Sequence, residues 1–274
     1  MSTVKPGEFL RRLGESGDGP HDIATAALML AALDHAGRPI KPYRDHLAEI
    51  AEHAKSEARL ALHVEDGARA LSALMVGRYG YDGDRLHYDD PRNADLMSVI
   101  DRRRGLPVAL GILYIHAARA AGLQTVGLNT PGHFLLRLSL RGREAMIDPF
   151  NGGAAIDLEK LGAPPGMGAP SVEDPRLSEP VGDIDVLLRL ENNLKLRAIN
   201  AGERLRALEI AKRMVLIAPR TPELWVDLAR LNEANGALGA AQKAYEASLT
   251  LAKPGQGLHN EAALALHALK RRLN

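Results

Sequence analysis

The sequence predicts an α+β domain followed by an all-α tail, on three observations. Ala-rich helical patterns fill the first third, the apolar period changes to two after Gly122, and the tail from Val181 matches itself at a shift of 34. Helices that come first, followed by a short antiparallel meander, argue against alternating βαβ units. The expected division is 1–180 for the mixed domain, with its N-terminal helical layer, and 181–274 for the helical tail.

In chain order, residues up to about Glu15 are polar and lie among Gly14, Gly17 and Gly19, which predicts a loosely attached start. Helices follow from Asp22 to Leu33 and from Tyr43 to Leu62, separated by the breakers Gly37-Arg38-Pro39 and Pro42. A third, Ala68 to Val76, stops before the turn signal of Tyr79-Gly80-Tyr81-Asp82-Gly83. Arg102-Arg103-Arg104 is basic but too short for a nucleic-acid stripe and lacks interleaved aromatics, so it reads as a solvated turn. Pro107 then opens a helix where its missing N–H costs least, and Gly122 closes it. Between them VALGILYIHAARAA is apolar nearly all round, the mark of a helix buried on every side, and His116 within it reads as a hydrogen-bonded core residue.

Thr125 to Leu128 predicts one strand and His133 to Arg141 a second. On the second, Phe134, Leu136, Leu138 and Leu140 share one face, and His133, Arg137, Ser139 and Arg141 the other. A turn at Gly142-Arg143 leads into a third strand ending at Asp148, where Pro149 and Asn151-Gly152-Gly153 stop the pairing. Ala163 to Pro180 is dense in Pro and Gly and reads as a linker or surface-draped loop.

In the tail, Gly202 aligns with Gly236, Ala207 with Ala241 and Ala211 with Tyr245, each 34 residues apart. That is the tetratricopeptide period. Trp225, Leu228, Ala241, Tyr245 and Pro254 carry the pattern in the second unit, whereas the first has Glu191 at the aromatic position. Two such hairpins bury too little alone, so Leu258 to Leu273 is expected to cap them.

The composition, 46% hydrophobic and 25% charged over 274 residues, is that of a folded globular chain. A net charge of +1 gives no field that calls for nucleic acid or an anionic membrane. The longest apolar runs are far too short to span a bilayer and no leader pattern is visible, so a soluble cytoplasmic protein is expected. Zero cysteines exclude disulfides, thiolate metal sites and any thiol nucleophile. Neither a cofactor fingerprint nor a metal motif stands out: His133 and Asp148 with His116 or His63 lack any spaced ligand pair such as HExxH.

His133 follows Pro131-Gly132 at the mouth of one strand, and Asp148 ends the next, fifteen positions later. An antiparallel hairpin can bring two such residues together as a base and its orienting carboxylate. Taken alone, they read more simply as a His capping a loop and an Asp starting a turn before Pro149. Gly105-x-Pro107, the apolar helix with Arg119 and Gly122, Gly-His133-Phe and Ile-Asp148-Pro occur in an order that resembles the transglutaminase-like core of the papain-like superfamily. DLMSVIDRRRGLPVALGILYIHAARAAGL, NTPGHFLLRL, IDPFNGG and LLRLENNLKLRAINAG look like the bacterial SirB-one family, which joins such a domain to a tetratricopeptide-like tail.

The resemblance implies His133 as the would-be base, Asp148 as its orienter, and a Cys at the start of the buried helix. Counting back fifteen residues from Gly122, the distance that core commonly uses, lands on Pro107. Gly105, Leu106, Val108, Ala109 and Leu110 offer no hydroxyl in its place, and Ser72 and Ser98 lie in no nucleophile elbow. The expectation is a catalytically degenerate protein that binds a protein or peptide partner at a cleft of His133, Asp148 and Asn151, or on the tail. The alternatives are a hydrolase of amide or ester bonds in which the His–Asp pair activates water, and a scaffold or assembly factor.

Overall fold

The computed structural model describes residues 5–17, 19–58, 61–128, 130, 133–156, 179–255 and 257–273. Its contacts fall into two compact units: Asp18–Leu187, and Met1–Gly17 together with Leu188–Asn274. This differs from the division at 180/181 expected from composition. The start of the chain belongs with the tail, and the boundary falls inside a helix.

Residues 6–16 form α1 (Pro6–Ser16), with Pro6 at its first turn and Leu10 and Leu13 buried, so the loosely attached start is not what the chain adopts. In the mixed unit α2 (Ile23–Ala32) begins at Asp22, whose carboxylate caps the Thr25 amide. After α3 (Lys41–Ala58), α4 (Val64–Ser72) runs on into a π-helical turn at Ala73–Arg78, ending at Gly80 with φ 72°. β1 (Asp82–Gly83) pairs in parallel with β2 (Arg104–Gly105), and between them lie a 3-10 turn at Pro91–Ala94 and α5 (Leu96–Arg102). None of those four short elements carries a period long enough to read in sequence.

The central helix is α6 (Pro107–Ala120), with Pro107 at its first position and Gly122 beyond its end at φ 82°. Ten of its fourteen residues are buried, as an all-apolar helix requires. Its neighbours include α2, α3 and α4 as well as the sheet. His116 stays half-buried and its Nε2 lies 2.8 Å from the Leu47 carbonyl.

The sheet consists of β3 (Gln124–Leu128), β4 (Leu135–Leu140), β5 (Arg143–Asp148), β6 (Ala154–Ala155) and β7 (Pro180–Val181), in the order β6-β5-β4-β3-β7 and antiparallel throughout. The β4–β5 turn is Arg141-Gly142, with φ 51° and 78°, one residue earlier than the sequence suggests. Two consecutive positive φ values make a type I′ hairpin, whose twist matches that of the strands. Arg141 therefore sits in the turn rather than on a strand face. Leu136 and Leu138 are buried while Arg137 and Ser139 are partly exposed, as alternation requires, but Phe134 and Leu135 are both buried because the start of β4 is covered on both sides. Pro180 lies on an edge strand, where a missing donor is tolerated. Most of the Pro- and Gly-rich segment at 163–180 lies outside the described residues.

A clip ties the end of α6 to the segment after β7. Arg119 grips Asp183 through two bonds of 2.7 and 2.8 Å, donates to the Thr125 carbonyl at 3.0 Å, and Asp183 also accepts from the His21 amide at 2.7 Å. Asp183 opens α7 (Asp183–Asn200), so the mixed unit extends past Pro180.

The tail continues with α8 (Arg204–Ile217), α9 (Pro222–Ala234), α10 (Leu238–Leu251) and α11 (Gly257–Leu273). The ends of α7 and α9, and both ends of α8 and α10, differ by 34 residues, and Gly202 and Gly236 turn the chain at φ 74° and 75°. Ala211, Ala229, Ala241 and Ala244 allow close helix crossings, Tyr245 fills the space beside them, and Ala262, Leu266 and Leu269 of α11 close the cluster. Gly14 of α1 joins this unit: a Cβ there would stand 2.2 Å from the Leu216 carbonyl, so only glycine permits the approach to α8.

Candidate functional site

Pro107 opens α6, His133 lies two residues before β4, and Asp148 ends β5. Leu136 pairs with Ile147, so the residues before β4 and those after β5 share one end of the sheet. The Phe134 ring packs on α6 at Gly111, one turn beyond Pro107, where an added Cβ would lie 2.3 Å from the ring. It also covers Gly127 of β3, where a Cβ would lie 2.9 Å away. Small residues at both contacts let this ring seat His133, which is half-buried and whose amide donates to the Thr130 carbonyl at 3.1 Å.

Asp148 is 4% exposed and caps the 3-10 turn of Pro149–Asn151. Its Oδ1 accepts from the Phe150 amide at 2.9 Å and the Asn151 amide at 3.3 Å, and its Oδ2 from Asn151 Nδ2 at 2.6 Å. Among the described residues His133 is not one of its hydrogen-bond partners. A carboxylate bound this way is already satisfied by its own loop.

Asn151 carries the chain of contacts outward, since its Oδ1 accepts from Arg85 Nη2 at 2.7 Å. Arg85 also donates to the Phe150 carbonyl at 2.9 Å and lies 5.0 Å over the Phe150 ring, while Tyr88 meets that ring edge-on at 5.8 Å. Gly83 of β1 permits this packing, because a Cβ would come within 2.6 Å of Phe150. Sequence reasoning missed Arg85, which has no motif around it, and whose contacts with this loop span 65 and 66 residues.

Tyr114, two turns into α6, is 1% exposed, and among the described residues its hydroxyl has no hydrogen-bond partner. Burial, then the carboxylates of Asp82 and Asp148, push its titration far above the ordinary phenol range. Gly153, at φ 73°, lies against its ring, so the Gly152-Gly153 pair is needed both for its positive φ angles and for room. Pro107 supplies no nucleophilic atom at the first position of α6. Among the described residues, no three His, Asp or Glu side chains converge as a metal site would require.

The transglutaminase-like superfamily model matches residues 41–192. A UPF0162 protein of Xylella fastidiosa strain Temecula1 is 30% identical over 206 residues, 73% of each chain. A UPF0162 protein of Vibrio cholerae is 40% identical over 101 residues, 35% of this chain and 37% of the other. Human F-box only protein 21 is 30% identical over 98 residues, 35% of this chain and 16% of its own. No solved structure matches. The matched span contains α6 and the strands that present His133 and Asp148, and with it the chain belongs to the transglutaminase-like superfamily and is a homologue of the UPF0162 proteins.

Proposed function

We propose that this chain is a catalytically degenerate transglutaminase-like protein of the SirB-one type, cytoplasmic, that binds a protein or peptide without acyl transfer. The observation that carries the reading is Pro107 at the first position of α6, where the superfamily resemblance puts the thiol, in a chain with no cysteine. A thiol there would gain nucleophilicity from the helix N-terminus and a neighbouring His. Proline has neither thiol nor hydroxyl. A helix N-terminus attracts a carboxylate or amide oxygen whatever the residue at its first position, so a peptide group would still be favoured where an acyl group would have been held. Asp148 supports the same reading, since its carboxylate holds the Pro149–Asn151 loop. The tail, with helix boundaries repeating at 34 residues, fits tetratricopeptide-like repeats and offers the second binding surface.

The test is capture from native bacterial extract with wild type and His133→Ala in parallel, with mass spectrometry of the captured proteins for identity and covalent change. The reading expects a partner retained by wild type, lost by the folded variant and unchanged in mass. A captured protein deamidated or cleaved only by wild type would overturn it in favour of water activation by His133.

A further inference from the structure

The Arg102-Arg103-Arg104 segment is not the solvated turn its sequence suggests. Arg102 is held by Asn93 Oδ1 at 3.0 Å and Asp84 Oδ2 at 2.8 Å, and Arg104 donates to the carbonyls of Gly80 and Arg103 at 3.0 and 2.9 Å. Arg103 is held differently. It follows α5 at φ 58°, in the left-handed region where helices usually place glycine because any Cβ is strained. A strained position occupied by a long charged side chain points to a use for that side chain.

The Arg103 guanidinium lies 4.8 Å over the Tyr81 ring and 6.0 Å over that of Tyr79. Its Nη1 donates to the Tyr81 hydroxyl and to His46 Nε2. Among the described residues no carboxylate pairs with Arg103, and its Nε and Nη2 have no hydrogen-bond partner. Burial and then the Arg103 charge hold the His46 imidazole neutral down to about pH 4, so His46 orients the guanidinium without adding charge.

Of these groups Arg103 and His46 line a cleft of about 510 Å³ between the start of α3 and the end of α5, walled by Pro39, Pro42, Tyr43 and Ile100. Arg38 and Asp101 also border it, paired with each other at 2.7 Å, and Asp101 accepts from the Tyr43 hydroxyl at 3.1 Å, so the Asp101 carboxylate is engaged by Arg38 and Tyr43 rather than by Arg103. Three N–H groups of a planar fork with no partner among the described residues, beside two aromatic rings and in a cleft with proline and isoleucine walls, match an oxyanion on an apolar body. The volume is that of a small-molecule site.

We propose that this cleft binds a small organic oxyanion, a carboxylate or phosphate ester carried on a flat apolar group, with Arg103 as its charge partner. It shares no residue with the His133–Asp148 site and stands independently of the function proposed there. The test is titration of the full chain with benzoate and with phenyl phosphate, followed by NMR on backbone amides and on the Arg103 Nε–H resonance. Saturable shifts confined to Arg38–His46 and Ile100–Arg103 are expected, and the probe that binds more tightly separates carboxylate from phosphate. Arg103→Gly relieves the left-handed strain, so it should melt no lower than wild type yet bind at least tenfold more weakly. Pro39→Trp, at an exposed position, should block the cleft to the same extent and decides the matter if Arg103→Gly folds poorly. Absence of saturation with both probes, or affinity unchanged in both variants, would overturn the proposal.

Discussion

At the scale of single residues, the site is held by polar groups in unequal states of satisfaction. Asp148 has three donors, whereas the Tyr114 hydroxyl, also buried, has none among the described residues. A buried hydroxyl without a partner has lost its water and gained nothing, so Tyr114→Phe should leave stability unchanged or raise it, within about 1 kcal/mol. A larger loss in urea unfolding would show that the hydroxyl has a partner. His46 makes the opposite kind of prediction. Its pKa is lowered, mainly by burial, from 6.5 to about 4, so the folded state favours the neutral ring. That contribution is fully present above pH 6.5 and is lost as pH falls from 6.5 through about 4. His46→Gln should therefore lose less stability than wild type between about pH 7 and pH 4.5, read as urea midpoints. Parallel slopes for the two proteins would contradict this.

At the scale of elements, α6 was legible because its limits are chemical: Pro107 at the start, Gly122 beyond the end, and no polar face between. The strands were legible from alternation, but the turn was off by one, because Arg141 in the left-handed region cannot be foreseen from residue type. α5 went unread because it is short, and the helix expected over Ala68 to Val76 reaches into Ala73–Arg78 without showing that this stretch is π-helical, which tertiary packing sets. The Arg119–Asp183 clip joins residues 64 apart and was equally hidden, although it decides where the mixed unit ends. Asp183 is 5% exposed at its side chain and Arg119 27%, so Asp183→Ala leaves a largely covered charge unpaired and should cost about 3 kcal/mol. A urea midpoint close to that of wild type would show that the clip is dispensable.

At the scale of the whole chain, a sequence-level argument from order and chemistry reached the superfamily, and the family match over residues 41–192 supports that assignment. The missing thiol was read from composition alone, whereas the state of Asp148 needed the loop geometry. If α6 begins where the superfamily nucleophile begins, Pro107→Cys places a thiol at a helix N-terminus. It should alkylate with iodoacetamide faster than a free cysteine peptide at neutral pH, because the dipole favours the thiolate. A rate at or below that of the peptide would mean that position 107 does not match the nucleophile position.

The most direct measurement is turnover of acyl esters and glutaminyl peptides by wild type, His133→Ala and Asp148→Ala, with intact-mass analysis of each protein. The account predicts no acyl adduct on the wild type and no turnover beyond that of the two variants. Turnover by the wild type that both substitutions abolish would contradict it and establish a hydrolase acting through water.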